Sequence, residues 1–112
     1  MLSKSVLVVV FSILFSFQAF ASGTVLIDGK LIKDREHLHA QFAKDLNFNR
    51  YYTKTLDSLY DTLSTDYTGG TIIKIKHVSI LKAKLGSEYI EGMVQSIMDA
   101  AEDNPRVIMV IE

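Results

Sequence analysis

Residues 86 to 111 read Gly-Ser-Glu-Tyr-Ile-Glu-Gly-Met-Val-Gln-Ser-Ile-Met-Asp-Ala-Ala-Glu-Asp-Asn-Pro-Arg-Val-Ile-Met-Val-Ile. Ile90, Val94, Ile97 and Ala101 recur at helical spacing along one side, so the stretch from Gly86-Ser87 predicts a long amphipathic helix. Asn104-Pro105 closes it, because Asn tolerates a left-handed C-terminal position and Pro cannot continue a helix. Val107 to Ile111 is then five apolar residues in a row, which predicts a strand covered on both faces. Upstream, Thr71-Ile72-Ile73-Lys74-Ile75 reads as a second strand, with one short helix over Val78 to Leu85. A first strand, Thr24-Val25-Leu26-Ile27, stops at the turn signal Asp28-Gly29. Between these two strands Asp34 is placed as an N-cap before Leu38, Phe42 and Leu46. Thr55 is a second N-cap, before Leu56, Leu59, Tyr60 and Leu63, and Gly69-Gly70 ends that unit. Asn47 to Arg50 forms a polar break around Phe48. Helical crossovers between strands imply an α/β fold on a small three-stranded parallel sheet packed with helices.

The 112 residues are 48% hydrophobic, but residues 1 to 21 distort that figure. Lys4 precedes an apolar run from Val6 to Phe17, and Ala19-Phe20-Ala21 has the small-x-small form that signal peptidase accepts. Counting on to Phe20 gives 15 residues, short of the ~20 that span a bilayer. The segment therefore predicts a secretory signal cleaved after Ala21, leaving one domain over residues 22 to 112 in the periplasm or outside the cell. Composition of the remainder is ordinary for one small globular unit. There is no cysteine, so stability must come from packing without disulfides. With Lys4 removed, 11 basic residues face 13 acids. That balance argues against a strongly basic nucleic-acid binder.

The placement of charge says more than its sum. From Thr55 to Ile73 there are three acids, Asp57, Asp61 and Asp66, and no Lys or Arg. From Leu85 to Pro105 there are five more, Glu88, Glu91, Asp99, Glu102 and Asp103, again without a base. Asp57 and Asp61 lie at i, i+4, where like charges cost a few tenths of a kcal/mol. One reading is a solvated helix face. The other is an acidic patch, flanked by Tyr51, Tyr52 and Tyr60, that receives a basic partner. Tyr60 also fits the apolar stripe, and Tyr52 fits a filler beneath the loop. No enzyme signature accompanies these residues. Asp57 and Asp61 lack a cleft for acid–base work, no Gly-x-Ser-x-Gly elbow is present, and His37, His39 and His77 do not form a metal spacing. No cofactor and no metal are expected.

Residues 46 to 61, Leu-Asn-Phe-Asn-Arg-Tyr-Tyr-Thr-Lys-Thr-Leu-Asp-Ser-Leu-Tyr-Asp, resemble the central segment of the barstar family, inhibitors of the secreted ribonuclease barnase. The family pattern there is roughly Tyr-Tyr-Gly-x-Asn-Leu-Asp-Ala-Leu-Trp-Asp. The likeness runs from Val25-Leu26-Ile27-Asp28-Gly29 to Val107-Ile108-Met109-Val110-Ile111. It implies a barstar-like sandwich that plugs a ribonuclease active site, acting as a monomer. By resemblance, Tyr51 packs on the enzyme, Asp57 and Asp61 engage its basic residues, and Tyr60 takes the place of the family tryptophan. Asp99 falls where the family carries a further acidic contact. Thr53 stands for the family glycine and Thr55 for its asparagine, so the binding loop is expected to meet a partner differently. Thr65 and Asp66 replace Gly-Trp. An exported immunity or adaptor protein of the same fold, binding another basic protein, is the alternative, since fold alone does not fix function.

Overall fold

The computed structural model describes residues 23–66 and 70–112. The expected leader over residues 1 to 21, with the cleavage expected after Ala21, and Gly69 lie outside the described residues. Among those described, β1 (Thr24–Asp28), β2 (Thr71–Lys76) and β3 (Val107–Ile111) form one parallel sheet in the order β1-β2-β3. Helices α1 (Arg35–Asp45) and α2 (Leu56–Asp61) connect β1 to β2, and α3 (Val78–Leu85) and α4 (Ser87–Asp103) connect β2 to β3. The α2 helix runs on into a π-helical segment, Thr62–Asp66.

Both helix starts on the first crossover sit where the side chains dictate. The Asp34 carboxylate accepts from the His37 amide at 2.7 Å, and the Thr55 hydroxyl accepts from the Ser58 amide at 3.0 Å. Each satisfies a backbone donor that the first turn leaves without an intrahelical partner, worth about 1 kcal/mol. At the other end of α1, Asn47 adopts φ 56°, and the Phe48 amide bonds back to the Ala43 carbonyl at 2.9 Å. Asparagine tolerates this left-handed position, and the turn carries Phe48 against the core.

The core lies between the helices and one face of the sheet. Val25, Ile27, Ile73, Ile75 and Val107 point into it from the strands, and Phe42, Leu59, Leu81, Ile90 and Ile97 meet them. The buried line of α4 is Ile90, Met93, Ile97 and Ala100, with Val94 and Ala101 at its margin. The observed stripe is thus rotated from the expected one by about 50°, because i+3 and i+4 spacings fit both lines.

Two expectations are corrected. β3 is not covered on both faces: Val107 is buried, but Ile108 is 52% exposed and Val110 and Ile111 are exposed too. The cause is topological. In the order β1-β2-β3 both crossovers step the same way, and right-handed crossovers of one sense lay all their helices on one side. On the open side Leu26, Lys74 and Val110 stand in register, as do Thr24, Ile72 and Ile108. Secondly, Asn104 closes α4 in extended geometry, φ −133° and ψ 96°, not left-handed. Its side-chain amide donates to the Leu63 carbonyl at 2.9 Å, tying the end of α4 to the π-helical segment.

Candidate partner-binding site

The loop from Asn47 to Thr55 delivers the chain from α1 to α2 and splits its two tyrosines. Tyr51 is 73% exposed, and its hydroxyl accepts from the Arg50 guanidinium at 3.2 Å. Tyr52 turns inward, edge-on to Phe48 with ring centroids 4.8 Å apart, and its hydroxyl meets Nδ1 of His39 at 2.5 Å. On the far side of the same imidazole, Nε2 meets the Tyr89 hydroxyl at 2.5 Å. Burial pushes the Tyr52 phenol up, with the Tyr89 phenol adding to the shift. It pushes the His39 imidazole down, and the Lys54 ammonium adds to that. Of the two readings open for Tyr52, the structure selects the filler beneath the loop.

Thr53 and Thr55 come together at the start of α2. Their hydroxyls lie 3.3 Å apart, and the Thr53 amide donates to Ser58 Oγ at 3.1 Å. The left-handed backbone of this loop falls on Lys54, φ 60°, rather than on Thr53. The β-branched residue at 53 thus lies outside the left-handed position of the turn.

The two acid-rich helices pack in the same sense. Leu56 near the start of α2 lies against Gly92, whose hypothetical Cβ would approach Leu56 Cδ1 to 3.2 Å. One turn on, the Tyr60 hydroxyl donates to the Asp103 carboxylate of α4. That bond raises the Tyr60 phenol above its ordinary range, with the Asp103 charge, burial and then the Asp99 charge adding to it. Tyr60 is thus a bridge on the rim of the core, half core and half surface, between Asp61 on α2 and Asp99 and Asp103 on α4.

Asp57, Asp61, Asp99, Glu102 and Asp103 are all exposed. Asp99 accepts from the Gln95 side chain at 2.9 Å and Asp103 from Tyr60, whereas the carboxylates of Asp57 and Asp61 have no hydrogen-bond or ion-pair partner among the described residues. Ion pairs among the described residues lie elsewhere and include Lys54 with Glu36, Lys74 with Glu112, His77 with Asp28, and Lys82 with Glu91. Among the described residues no group of three His, Cys, Asp or Glu is arranged to hold a metal.

Tyr60 and Asp99 of the expected set thus share one helix pair with Asp57 and Asp61, while Tyr51 stands out from the loop beside Arg50. Two features escaped the sequence reading. Asp103 is part of the helix-pair surface, and the sequence marked it only as one of the five acids between Leu85 and Pro105. The row Tyr52–His39–Tyr89 spans 50 residues of chain and left no local pattern.

The family model for "Barstar (barnase inhibitor)" matches residues 23–111, which is the whole sheet and all its crossovers. The chain belongs to the barstar family. It is also similar to "Putative ribonuclease inhibitor YrdF" of Bacillus subtilis (strain 168), with 29% identity over 79 residues, 70% of this chain and 86% of that relative. In this barstar-family chain the two acid-bearing helices and the tyrosine-bearing loop all fall inside the matched region. The family consists of ribonuclease inhibitors rather than enzymes, which agrees with the absence of an enzyme signature in the sequence.

Proposed function

We propose that this chain inhibits a barnase-like ribonuclease by presenting the α2–α4 carboxylates to the enzyme's basic active site. The observation that carries this reading is that Asp57 and Asp61 stand exposed with no paired cation among the described residues, beside Tyr60 and the acids of α4. A ribonuclease site binds phosphate with Arg, Lys and His and is concave and positive. Carboxylates on a rigid helix mimic phosphate there, and the approach of the enzyme removes their water. Asp61 carries the central contact and Asp57 the next. Asp99 extends the anionic surface onto α4, and Tyr51 and Tyr60 supply apolar cover. Thr53 and Thr55 shape the loop edge and adjust the fit to the particular enzyme. The inhibitor works as a monomer, without cofactor, after residues 1 to 21 are removed on export, and so meets its nuclease in the periplasm or outside the cell.

The test is capture of a barnase-like ribonuclease by the protein at low and at high salt, followed by assay of the captured enzyme. Inhibition in stoichiometric complex is expected, with an association rate that falls about tenfold or more as salt is raised, because exposed carboxylates steer the encounter over a Debye length of about 10 Å at 0.1 M. A captured enzyme that stays fully active removes the reading.

A further inference from the structure

The loop that carries Tyr51, Thr53 and Thr55 is anchored inward by one titratable group. His39 on α1 is 1% exposed, yet both ring nitrogens are engaged, Nδ1 by the Tyr52 hydroxyl and Nε2 by the Tyr89 hydroxyl, each at 2.5 Å. A neutral imidazole has one N–H and one lone pair, so one tyrosine donates to the ring and the ring donates to the other. The row is satisfied in that state, and no buried side-chain polar atom among the described residues lacks a partner.

We propose that His39 is a proton-sensitive latch on the partner-binding loop: neutral, it holds Tyr52 and with it Tyr51 through Thr55, and protonated, it releases them. The functional meaning of the release rests on the inhibitor reading above, although the latch itself does not.

A second proton makes both ring nitrogens donors. The tyrosine that donated to the ring must then turn its hydrogen away, and neither hydroxyl has another partner among the described residues. The surroundings oppose the charge as well. His39 lines a cleft of about 370 Å³, and each element packed around that cleft contributes. From α1 come Arg35 and Glu36, from the loop Tyr52 and Lys54, and from α4 Tyr89; α2 brings only Thr55 and Leu56, which do not ionise. Arg35 lies 3.9 Å over the Tyr89 ring and donates to the Leu85 carbonyl, so it stays in place as a neighbouring cation. Glu36 is the one acid, and Lys54 sits 3.9 Å from it. Two cations against one paired carboxylate disfavour an imidazolium, as does burial.

The loop has reason to move once released. Its ends, Asn47 at φ 56° and Lys54 at φ 60°, both hold left-handed backbone, a geometry costly for a residue such as lysine. Tyr52 is the inward side-chain anchor between them, through His39 and Phe48. In acid the loop relaxes outward, and the inhibitor surface loses its Tyr51 edge.

Hydrogen exchange of the free protein tests this. The amides of Tyr51, Tyr52 and Thr53 are hydrogen-bonded to Asn49 Oδ1, the Asn49 carbonyl and Ser58 Oγ. Their protection factors, corrected for intrinsic exchange, are expected to fall by about tenfold per pH unit once pH drops below about 6.5, levelling off where the His39 proton resonance titrates in the folded chain. The β2 amides Ile73 and Ile75 should keep theirs. His39→Gln, uncharged but still one donor and one acceptor, should abolish the pH dependence. Should that variant not fold, Tyr89→Phe frees Nε2 to take a proton toward the cleft and should move the inflection to higher pH. Loop protection that is constant from pH 7.5 to 5 while His39 titrates overturns the latch, as does a wild-type profile in His39→Gln or an unmoved inflection in Tyr89→Phe. Because no ribonuclease is present, these results and the inhibition assay fail independently.

Discussion

Two regions of this molecule handle acidic side chains in opposite ways. At the corner between β1 and α3, the Asp28 carboxylate accepts from the Lys30 amide and from His77 Nδ1, each at 2.9 Å. The amide bond first and His77 second hold its carboxyl below the usual carboxylate range. His77 itself adopts φ 55° at the start of α3, and Gly29 fits beneath it with no room for a Cβ, which would fall 2.2 Å from the His77 carbonyl oxygen. On the α2–α4 face Asp57 and Asp61 repeat at i, i+4 with no side-chain partner among the described residues. Like charges so spaced weaken an isolated helix slightly. The corner acid is held by the fold, whereas the helix acids are the ones the proposed function assigns to a partner.

Substitutions separate the two roles. Asp61→Ala is expected to weaken ribonuclease capture by about 2–5 kcal/mol, the cost of leaving a cationic partner unpaired at a closed interface, a range resting partly on barnase–barstar measurements. The midpoint of urea unfolding should move by no more than about 0.5 kcal/mol equivalent, because an exposed side chain is removed. Gly29→Ala should do the reverse. Its methyl group has only backbone to displace, so a loss of about 3 kcal/mol in unfolding free energy is expected, while the folded fraction still binds the enzyme normally. Calorimetric titration and denaturant unfolding of both variants read the two axes. An Asp61→Ala protein that unfolds early, or a Gly29→Ala protein that is stable but does not bind, breaks the comparison.

Asp28→Asn sharpens it with a smaller effect, a loss of stability that is present above about pH 4 and fades in acid. A carboxyl depressed in the folded state contributes stability that is fully present above its unfolded value near 3.8. That contribution is lost as pH falls through this value toward the lower folded one. The acid limb of the wild-type stability curve should therefore be steeper below about pH 4 than that of Asp28→Asn. Equal slopes would mean that His77 and the Lys30 amide do not favour the ionised form.

Much of this was legible along the chain. The caps at Asp34 and Thr55 are local chemistry, and each lies where the residue types required. The strands at Thr24 and Thr71 announced themselves by β-branched runs. What failed was non-local. Five apolar residues at Val107–Ile111 suggest double cover, but the helices all lie on one side because of strand order, which no five-residue window contains. On α4 the same spacing fits Val94 and Ala101 or Met93 and Ala100, and only packing against β3 and α2 chooses. The acids at positions 57, 61 and 99 stood out by charge segregation. The partner of Tyr60 did not, since Asp103 is 43 residues away.

That Tyr60–Asp103 bond supplies the finest test, because it belongs to both regions' logic: a partner from α2 held by an acid of α4, on the face where Asp57 and Asp61 have none among the described residues. A phenol raised in the folded state, here chiefly by its bond to Asp103, stabilises fully below its unfolded value near 10.0 and loses that contribution as pH rises through the folded value. Tyr60→Phe keeps the ring against the core and removes only the hydroxyl. Ultraviolet titration of tyrosinate should then lose one upshifted phenol, and the alkaline limb of stability should flatten, because the contribution is already missing at pH 7. If the bond also fixes how α4 presents its acids, Tyr60→Phe should leave Asp61's contribution to capture intact and diminish that of Asp99, which a double-mutant cycle between Tyr60→Phe and Asp99→Ala measures as a non-zero coupling. Zero coupling would reduce Tyr60 to a filler between helices and leave α2 alone as the recognition element.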